Sequence, residues 1–358
     1  MSAHEILILV MAVFAGLGAL DRICGDRFGL GKEFADGIQA MGSLALAMLG
    51  IICLAPVLAA LLKPIVVPVF SFLGADPAMF AGTILACDMG GGNLAMELTQ
   101  DSQAAMLGGV ITGSMLGATV VFTIPVALGI LEKADRPFLA KGILCGIVTI
   151  PVGILAGGLV AGFPLGMVAR NLIPIVLIGA GIAVGLWKAE SAMIRGFGYF
   201  GKGVTAVITV GLAAAIIERL TGFVLIPGLE SLEVGFRTVG EIAIVLAGAF
   251  PLVYTVTRLF RKPLIRFGKR LGINDASAAG LVASLANSIA TFGMVKDMDD
   301  RGKVVNIAFA VSAAFVFGDH LGYTAGFAPQ MLPGMIVGKL AGGVSAVALA
   351  LLLTRKEK

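Results

Sequence analysis

Charged residues are scarce in this sequence: Asp, Glu, Lys and Arg make up 13% of its 358 residues, whereas 58% are hydrophobic. An ordinary soluble domain has roughly 25% charged and about 45–50% apolar residues. A soluble chain of this length would lack the polar side chains needed to cover its surface. The composition therefore excludes a cytosolic enzyme, a secreted disulfide scaffold and a disordered regulator, and it indicates a polytopic membrane protein.

Histidine, cysteine and the larger aromatics are also few, with two His, four Cys, one Trp and three Tyr. Two histidines cannot build a multi-histidine metal site, and the scattered cysteines lack the CxxC spacing of metal or redox motifs. Sparse aromatics argue against a cage for a quaternary ammonium. The sequence contains no Walker loop, HExxH or G-x-S-x-G motif. We therefore expect no enzyme activity, no cofactor, no metal, no nucleic-acid partner and no ATPase subunit.

Long apolar stretches dominate the chain, and a helix needs about 20 such residues to cross a bilayer. Two stretches, 64–100 and 262–297, are apolar but interrupted. The 50 glycines suit close helix packing and helix breaks inside a membrane. Full crossings are predicted at 5–21, 37–62, 103–131, 141–162, 165–187, 203–218, 237–257, 303–325 and 331–354.

The basic residues are concentrated in alternate loops, as expected for the cytoplasmic side of a membrane protein. This distribution predicts an outside N-terminus, a cytoplasmic C-terminus and nine crossings. Each interrupted stretch must then enter and leave by the same face, as a re-entrant hairpin. Non-helical backbone at membrane depth persists only beside protein or a water-filled cavity, so we expect the permeation site there. The loops 22–32, 133–141, 188–202, 258–270 and 296–303 and the tail 355–358 hold 21 of the 26 Lys and Arg.

The sequence contains two similar segments 198 residues apart, which align without a gap over 42–101. The most specific match is the string L-G-x-[D/N]-x-A-x-x-A-G, which begins at Leu73 and again at Leu271. An odd number of crossings, five, separates the copies, so they face opposite ways. Inverted repeats with interrupted helices are typical of secondary transporters. We predict a single all-α polytopic membrane domain of about nine transmembrane helices and two re-entrant helical hairpins, with inverted copies at about 37–131 and 237–325 and intervening helices at 132–236.

Two strings are distinctive: CDMGGGNLAMELTQD at 87–101 and FVFGDHLGYTAGFAPQMLPG at 315–334. With the length and hydropathy, they resemble the ethanolamine permease family encoded with bacterial ethanolamine-utilisation enzymes, and the resemblance covers essentially the whole chain. It implies a carrier in the bacterial inner membrane, with ethanolamine and membrane lipid as partners, that supplies a cytoplasmic ammonia-lyase pathway. The two-hairpin pattern is also similar, in architecture alone, to concentrative nucleoside transporters.

Asp88 is the first candidate ligand for the ammonium of ethanolamine, because carboxylate, carbonyl and amide oxygens accept hydrogen bonds from an ammonium. It follows an apolar run, 77–87, and an ionisable residue in such a position points to function. Three glycines, each costing about 1 kcal/mol in a helix, follow at 90–92. The helix is expected to open there and to leave carbonyls free for a cation. The alternative is a glycine-packed contact in which Asp88 caps the next helix.

Asn93 and Glu97 are four residues apart and therefore share one face if the second hairpin arm is helical. We predict that both contact the substrate. For Glu97, a solvated position at the outer mouth beside Asp101 is the alternative.

Asp319 and His320 lie within an apolar stretch that begins at Ile307. Asp319 is expected to bind the ammonium and His320 to carry a coupled proton, because the ordinary pKa of histidine is near neutral. The alternative is a structural Asp–His pair that joins two helices.

Asn287, Ser288 and Thr291 occupy the second hairpin, opposite Met89–Asn93 of the first copy under the repeat. One hairpin is thus anionic and glycine-rich, and the other carries amide and hydroxyl groups. This inequality suits a ligand with a cationic end and a hydroxyl end. Ordinary hydrogen bonding between helices is the alternative.

Ethanolamine transport by alternating access, as a secondary carrier or facilitator, is the function that these features favour. The alternatives are a channel or ion-coupled transporter of another small amine or nucleoside-like solute, and a membrane enzyme that uses His320 and Asp319. A purely structural role would leave the buried carboxylates, each costing about 2.5–3.5 kcal/mol at mid-bilayer, without a reason. The glycine-rich first helix, outside the repeat, is a candidate contact in a homo-oligomer.

Overall fold

The computed structural model describes residues 2–354, apart from the side chains of 260–262, 264–267 and 269. The tail 355–358 and those side chains of the basic run 258–270 lie outside the described residues. The described part is helical and contains no β-strand. Its helices are α1 (Ala3–Ile23), α2 (Leu30–Phe72), α3 (Ala78–Ile84), α4 (Gly91–Leu98), α5 (Ser102–Ile130), α6 (Arg136–Val160), α7 (Leu165–Thr221), α8 (Leu232–Arg270), α9 (Asp275–Ala286), α10 (Ser288–Met294), α11 (Asp300–Ala313), α12 (Asp319–Phe327) and α13 (Leu332–Leu353).

Seven helices of the described part are long and apolar enough to cross a membrane, namely α1, α2, α5, α6, α7, α8 and α13. Their spans include or nearly coincide with the predicted crossings at 5–21, 37–62, 103–131, 141–162, 165–187, 203–218, 237–257 and 331–354. The chain is therefore an all-helical membrane protein, as the composition predicts.

The predicted loop at 188–202 is wrong, because α7 is helical throughout this region except at Ala189. Ala189 has φ −144° and ψ 47°, which breaks the helix at one residue. A Cβ on Gly185 would lie 2.7 Å from the sulfur of Met193, so the two halves of α7 bend sharply toward each other. Each half is longer than the about 20 residues needed to cross a bilayer.

The predicted uninterrupted crossing at 303–325 is also wrong. Helix α11 ends at Ala313, and α12 begins at Asp319. Between them, Phe315 has φ 64°, a left-handed conformation that is uncommon for a bulky residue. The broken segment is held by the end of another helix, as described with the site below.

The interrupted stretches begin later than the sequence suggests. Residues 64–72 continue α2, with Pro56, Pro64 and Pro68 inside the helix, and residues 262–270 continue α8. Prolines are tolerated within membrane helices because neighbouring groups satisfy the freed backbone. What remains of each stretch is a pair of short helices packed together, α3 with α4 and α9 with α10. Each of these helices is shorter than a bilayer crossing requires.

Glycine allows the first short pair to pack directly against α5, which is π-helical over Met106–Gly117. A Cβ on Gly82 would overlap the carbonyl oxygen of Gly108, and a Cβ on Gly117 would overlap that of Leu85. The backbones of the two elements are therefore in contact, which is the use that membrane helices make of small residues. Wide π-helical turns are frequent at functional sites.

Several boundaries recur at the spacing of the sequence repeat. Helices α1 and α7 end at Ile23 and Thr221, and α2 and α8 end at Phe72 and Arg270, each pair 198 positions apart. Helices α5 and α11 begin at Ser102 and Asp300, again 198 positions apart. The glycines after α2 and α8, Gly74 and Gly272, both have φ 71°.

The N-terminal ends of matching helices also use matching side chains. Asp76 and Asn274 accept hydrogen bonds from the backbone N–H groups of Ala78 and Ser277 at the starts of α3 and α9. Asp101 caps α5 and Asp299 caps α11, each through its carboxylate. A capping side chain satisfies one of the N–H groups that a helix start leaves without an intrahelical acceptor.

Candidate functional site

The first break in the helical structure carries Asp88 and lies between α3 and α4. Residues Cys87–Met89 form a short 3-10 turn, and Gly90 follows with φ 86°, in the region that favours glycine. A Cβ on Gly90 would also overlap the side chain of Ile51. The opening extends from the end of α3 at Ile84 to Gly90, whereas Gly91 and Gly92 are already part of α4, and Asp88 lies in the opening.

The second break carries Asp319 and His320, the first two residues of α12. The backbone N–H groups of Phe315 and Phe317 donate to the carbonyls of Ser284 and Leu285, at the end of α9. The C-terminal end of α9, at the tip of the second hairpin, therefore supplies acceptors for backbone N–H groups that the break leaves without helical partners. This exchange places Asp319 and His320 beside the hairpin tip.

The two breaks meet, since His320 Nε2 lies 3.5 Å from Asp88 Oδ1. Around them is a cavity of about 170 Å³, which we call the central pocket. This volume is below the about 300–1,000 Å³ of pockets for drug-sized ligands. The pocket is lined by Ser43, Leu44, Ala47, Ala86, Asp88, Met89, Ala118, Phe122, Phe315, Asp319 and His320.

Asp319 also lines a second cavity, of about 620 Å³, which we call the vestibule. The vestibule extends from Asn287 and Asp319 to Glu33 and Arg258. The carboxylate of Asp319 makes no hydrogen bond or ion pair with any other residue that the structure describes. Its carboxylate therefore lies between two cavities with its acceptor oxygens available to a ligand.

A third cavity, of about 900 Å³, reaches the central pocket from another side. It shares Ser43, Met89 and Phe122 with the pocket and extends to Arg195 and Lys202 on α7. Ser43 and Ala47 of α2 thus line both the pocket and this cavity, which has basic residues at its far end.

The other predicted site residues are placed differently. Asn287 lines the vestibule, and its side-chain oxygen caps α10 by accepting from Ile289. Thr291 is buried and donates to the carbonyl of Gly280, and it also bonds to the hydroxyl of Ser284, so both contacts lie within the hairpin. Of the eight predicted residues, the structure brings together Asp88, Asp319 and His320 in one pocket, with Asn287 in the adjoining vestibule.

The remaining three predicted residues lie outside the lining of these cavities. Ser288 is buried, and Asn93 is partly buried with a buried side-chain oxygen; among described residues these oxygens have no hydrogen-bond partner. Glu97 is exposed near the end of α4. The predicted residues of the short helices therefore have different surroundings. Ser288 and Thr291 are buried, Glu97 is exposed, and Asn287 lines the vestibule.

A buried lysine is the charged group that the sequence prediction of the site missed. Lys339 is only 1% exposed, and its ammonium donates to the backbone carbonyl of Ser114 in the π-helical part of α5. This carbonyl lies beside the first break, because a Cβ on the adjacent Gly113 would lie 3.1 Å from the backbone nitrogen of Cys87. The signal was present in the sequence, because an ionisable residue inside an apolar span indicates function by default.

Three potential metal ligands also converge here. The ligand atoms of Cys87, Asp88 and His320 lie within 4.8 Å of one another. Such a donor set is the kind that binds zinc, with sulfur, oxygen and nitrogen atoms. The ammonium of Lys339, held on the Ser114 carbonyl beside Cys87, opposes the binding of a divalent cation. We therefore assign no metal to this group.

Comparison with known proteins gives one consistent family. The sequence model of the family described as "Ethanolamine utilisation protein, EutH" matches residues 3–353. The chain is 58% identical over 356 residues to the probable ethanolamine permease EutH of Listeria monocytogenes, with 99% of this chain and 95% of the relative covered. It is 53% identical over 354 residues to the uncharacterized protein YxeR of Bacillus subtilis, with 99% and 96% covered.

A more distant relative is named in the same way. The chain is 47% identical over 395 aligned residues to the probable ethanolamine permease EutH of Salmonella typhimurium, with 100% of this chain and 97% of the relative covered. No solved structure matches the chain. The family match over almost the whole chain and the identities with full-length relatives show that this chain belongs to the EutH family of ethanolamine utilisation proteins.

Proposed function

We propose that the protein transports ethanolamine into the cytoplasm, and that the ethanolammonium ion binds in the central pocket. The observation that carries the proposal is the meeting of two carboxylates, Asp88 and Asp319, at a small cavity formed where two helix breaks come together. The names of the relatives support the choice of ethanolamine. The pocket volume favours a small amine over a nucleoside-like solute.

The chemistry of the pocket matches both ends of the ligand. The ammonium donates to Asp319, which has acceptor oxygens available, and to Asp88, which is already held by His320. The hydroxyl is directed toward Ser43, whose own hydroxyl donates to the carbonyl of Ala40 and retains acceptor capacity. Phe122 and Phe315 pack edge-to-face and form an apolar wall of the pocket. Charge-assisted hydrogen bonds in such surroundings are stronger than neutral ones.

The proposed architecture has nine crossings and two re-entrant hairpins in an inverted repeat. Helix α7 supplies two crossings, which meet at Ala189, and α11 with α12 supplies one crossing that is broken at 314–318. The pairs α3–α4 and α9–α10 are the hairpins. The matching helix ends and caps, 198 positions apart, support an inverted repeat that contains the copies at 37–131 and 237–325 and extends beyond them. Because the second half of α7 ends 198 positions after α1, it belongs to the extended second copy, and α6 with the first half of α7 connects the two copies.

Alternating access in the inner membrane is the proposed mode of transport. The vestibule extends to Arg258, and the third cavity extends to Arg195 and Lys202. Basic residues between crossings mark the cytoplasmic side, and those near the kink of α7 and at the end of α8 are therefore assigned to it. This assignment places the N-terminus outside and the C-terminus inside. The arrangement is therefore an inward-facing one, in which Asp319 communicates with the cytoplasm.

Contacts with the membrane are proposed along α1. Its apolar residues Leu9, Val13 and Leu20 are all more than half exposed. An apolar face of this kind is suited to lipid, and association with a second copy of the chain through the same face remains a prediction.

Counterflow in proteoliposomes tests whether the protein is a carrier for ethanolamine. Vesicles loaded with unlabelled ethanolamine are expected to accumulate labelled ethanolamine transiently, because a carrier exchanges bound substrate across the membrane. Uptake should saturate and should exceed that of protein-free liposomes. Uptake that never saturates and shows no counterflow would instead favour a channel. Uptake equal to that of empty liposomes would contradict the proposed substrate.

A further inference from the structure

Lys339 is a charged group that the proposed transport reaction does not yet use. Lysine is almost never fully buried unless it is paired. In the described part of the chain, however, Lys339 has no carboxylate within ion-pair distance, and its ammonium donates to the carbonyl of Ser114. A lysine that served only to pack α13 against α5 would be replaced at lower cost by an apolar residue of similar length. Its charge therefore requires an explanation.

The ionisable side chains at the nearby central pocket explain why Lys339 is charged. The Ser114 carbonyl that holds the Lys339 ammonium lies beside the first break, because a Cβ on the adjacent Gly113 would lie 3.1 Å from the backbone nitrogen of Cys87, the neighbour of Asp88. The pocket itself contains Asp88 and Asp319, and His320 faces Asp88. With both carboxylates ionised, His320 and Cys87 neutral and Lys339 charged, the group carries one net negative charge. One monovalent cation is then enough to neutralise it.

We infer that Lys339 is a resident counter-ion that sets the charge of the central pocket, so that the pocket accepts a monoammonium ion and rejects diammonium ions. The inference deepens the proposed function and rests on it. Without Lys339 the pocket would hold two uncompensated carboxylates, which match two ammonium groups. Lys339 is in this sense a specificity-determining residue that acts through Asp88 rather than by touching the substrate.

A diamine is the natural probe because it resembles the substrate in size. In 1,3-diaminopropane the hydroxyl of ethanolamine is replaced by a second ammonium, with one more carbon, and the molecule is mostly a dication at neutral pH. A buried, unmatched positive charge is costly, so the wild-type pocket is expected to discriminate against it. Comparison with 3-amino-1-propanol, which has the same three-carbon chain and a single ammonium, separates discrimination by charge from discrimination by size.

Competition for labelled ethanolamine by 1,3-diaminopropane, with purified protein in detergent, tests the inference. We expect the wild type to prefer ethanolamine by about tenfold or more. Lys339→Met, which keeps the length and removes the charge, should reverse the preference in favour of the diamine. Lys141→Met is the matched control, because Lys141 is an exposed lysine on α6, and it should keep the wild-type preference.

A double variant keeps the test decisive if Lys339→Met alone does not fold, because it removes one carboxylate together with the ammonium and keeps the net charge of the wild type. Asp88→Asn alone leaves the pocket neutral and should lose ethanolamine binding by about tenfold or more. Asp88→Asn combined with Lys339→Met restores one net negative charge, carried by Asp319, and should recover binding. A lysine with a purely structural role would give no such recovery, so failure of the folded double variant to recover binding overturns the inference.

The outcomes also separate the inference from the proposed function. Absence of ethanolamine binding by the wild type contradicts the proposed function itself. Wild-type binding of 1,3-diaminopropane as tightly as ethanolamine overturns the inference without any variant. A folded Lys339→Met protein that binds ethanolamine and keeps the wild-type selectivity overturns it as well, and it leaves the transport proposal intact.

Discussion

At the scale of single residues, the pocket depends on two carboxylates with different surroundings. Asp88 is held by His320 at 3.5 Å, whereas Asp319 has no hydrogen-bonding partner among the residues described and faces two cavities. Asp88 is therefore a fixed acceptor, and Asp319 is an available one. Both were predictable from the sequence, because a carboxylate within an apolar span is costly and is retained only for a reason.

His320→Leu is expected to weaken ethanolamine uptake through the position of Asp88. Leucine has no polar atom to place where the His320 Nε2 atom lies, so the Asp88 carboxylate loses its fixed orientation. Uptake at low substrate concentration should fall about tenfold, which corresponds to about 1.4 kcal/mol. Initial rates over a range of ethanolamine concentrations measure the effect, and an unchanged affinity would contradict the assigned role.

The direction of polar side chains on the second hairpin was not predictable. Ser288 and Thr291 are as polar and as close to the tip as Asn287, but Thr291 turns inward to Gly280 and Ser284, and only Asn287 lines the vestibule. Which face of a short helix meets a cavity depends on packing with distant elements. Lys339 was identifiable as an intramembrane charge, but its approach to Asp88 depends on how α13 packs against α5.

At the scale of elements, glycine and tertiary hydrogen bonds decide where helices break. A break near Asp88 could be predicted from the run of three glycines, although only Gly90 lies in it and Gly91 and Gly92 begin α4. The break at 314–318 could not, because a single glycine, Gly318, stands there. The conformation of Phe315 is stabilised instead by carbonyls of Ser284 and Leu285, about thirty positions away, and local sequence patterns carry no such information.

Gly82→Ala is expected to destabilise the packing of the first hairpin against α5. The added Cβ would overlap the Gly108 carbonyl oxygen, which is backbone and cannot turn aside. Overpacking of this kind costs about 1–3 kcal/mol. Thermal unfolding in detergent measures the loss. Gly203→Ala on α7 is the control, since nothing lies within 4 Å of a Cβ there, and equal unfolding temperatures for both variants would contradict the packing described.

Asp101 and Asp299 cap equivalent helices, but their replacement by alanine is expected to destabilise the protein to different extents. Asp101 accepts from the backbone of Gln103 and Ala104 in its own helix, so Asp101→Ala should cost about 1 kcal/mol, as a lost N-cap does. Asp299 accepts in addition from Asn274 and from the Ser277 hydroxyl, and it thereby joins α11 to the start of α9.

Asp299→Ala is therefore expected to lower the unfolding temperature more than Asp101→Ala. Thermal scans of the two variants in the same detergent make the comparison. An equal or smaller loss for Asp299→Ala would mean that the links to Asn274 and Ser277 contribute little.

At the scale of the whole molecule, the sequence predicted the class of protein and much of the order of its helices. Hydrophobic length identified the long helices, and the spacing of 198 residues identified elements whose ends and caps match. The kink at Ala189 was missed because Lys188, Arg195 and Lys202 make 188–202 resemble a loop in charge. These side chains are compatible with helix, and the charge pattern alone does not distinguish the two.

The native cysteines test the proposed orientation directly. Cys24 is exposed in the loop between α1 and α2, whereas Cys53, Cys87 and Cys145 are buried. A membrane-impermeant maleimide is therefore expected to label the wild type in inside-out vesicles and not in right-side-out vesicles. Cys24→Ser should abolish the labelling. Labelling of Cys24 from the periplasmic side would reverse the predicted topology.

Equilibrium binding of labelled ethanolamine to purified protein tests the central claim most directly, namely that the ammonium binds to carboxylates in the central pocket. The wild type should bind saturably, Asp319→Asn should lose about tenfold or more in affinity, and Asp297→Asn, at an exposed turn, should bind like the wild type. If a folded Asp319→Asn protein binds ethanolamine as tightly as the wild type does, the ammonium is bound elsewhere and the account is wrong.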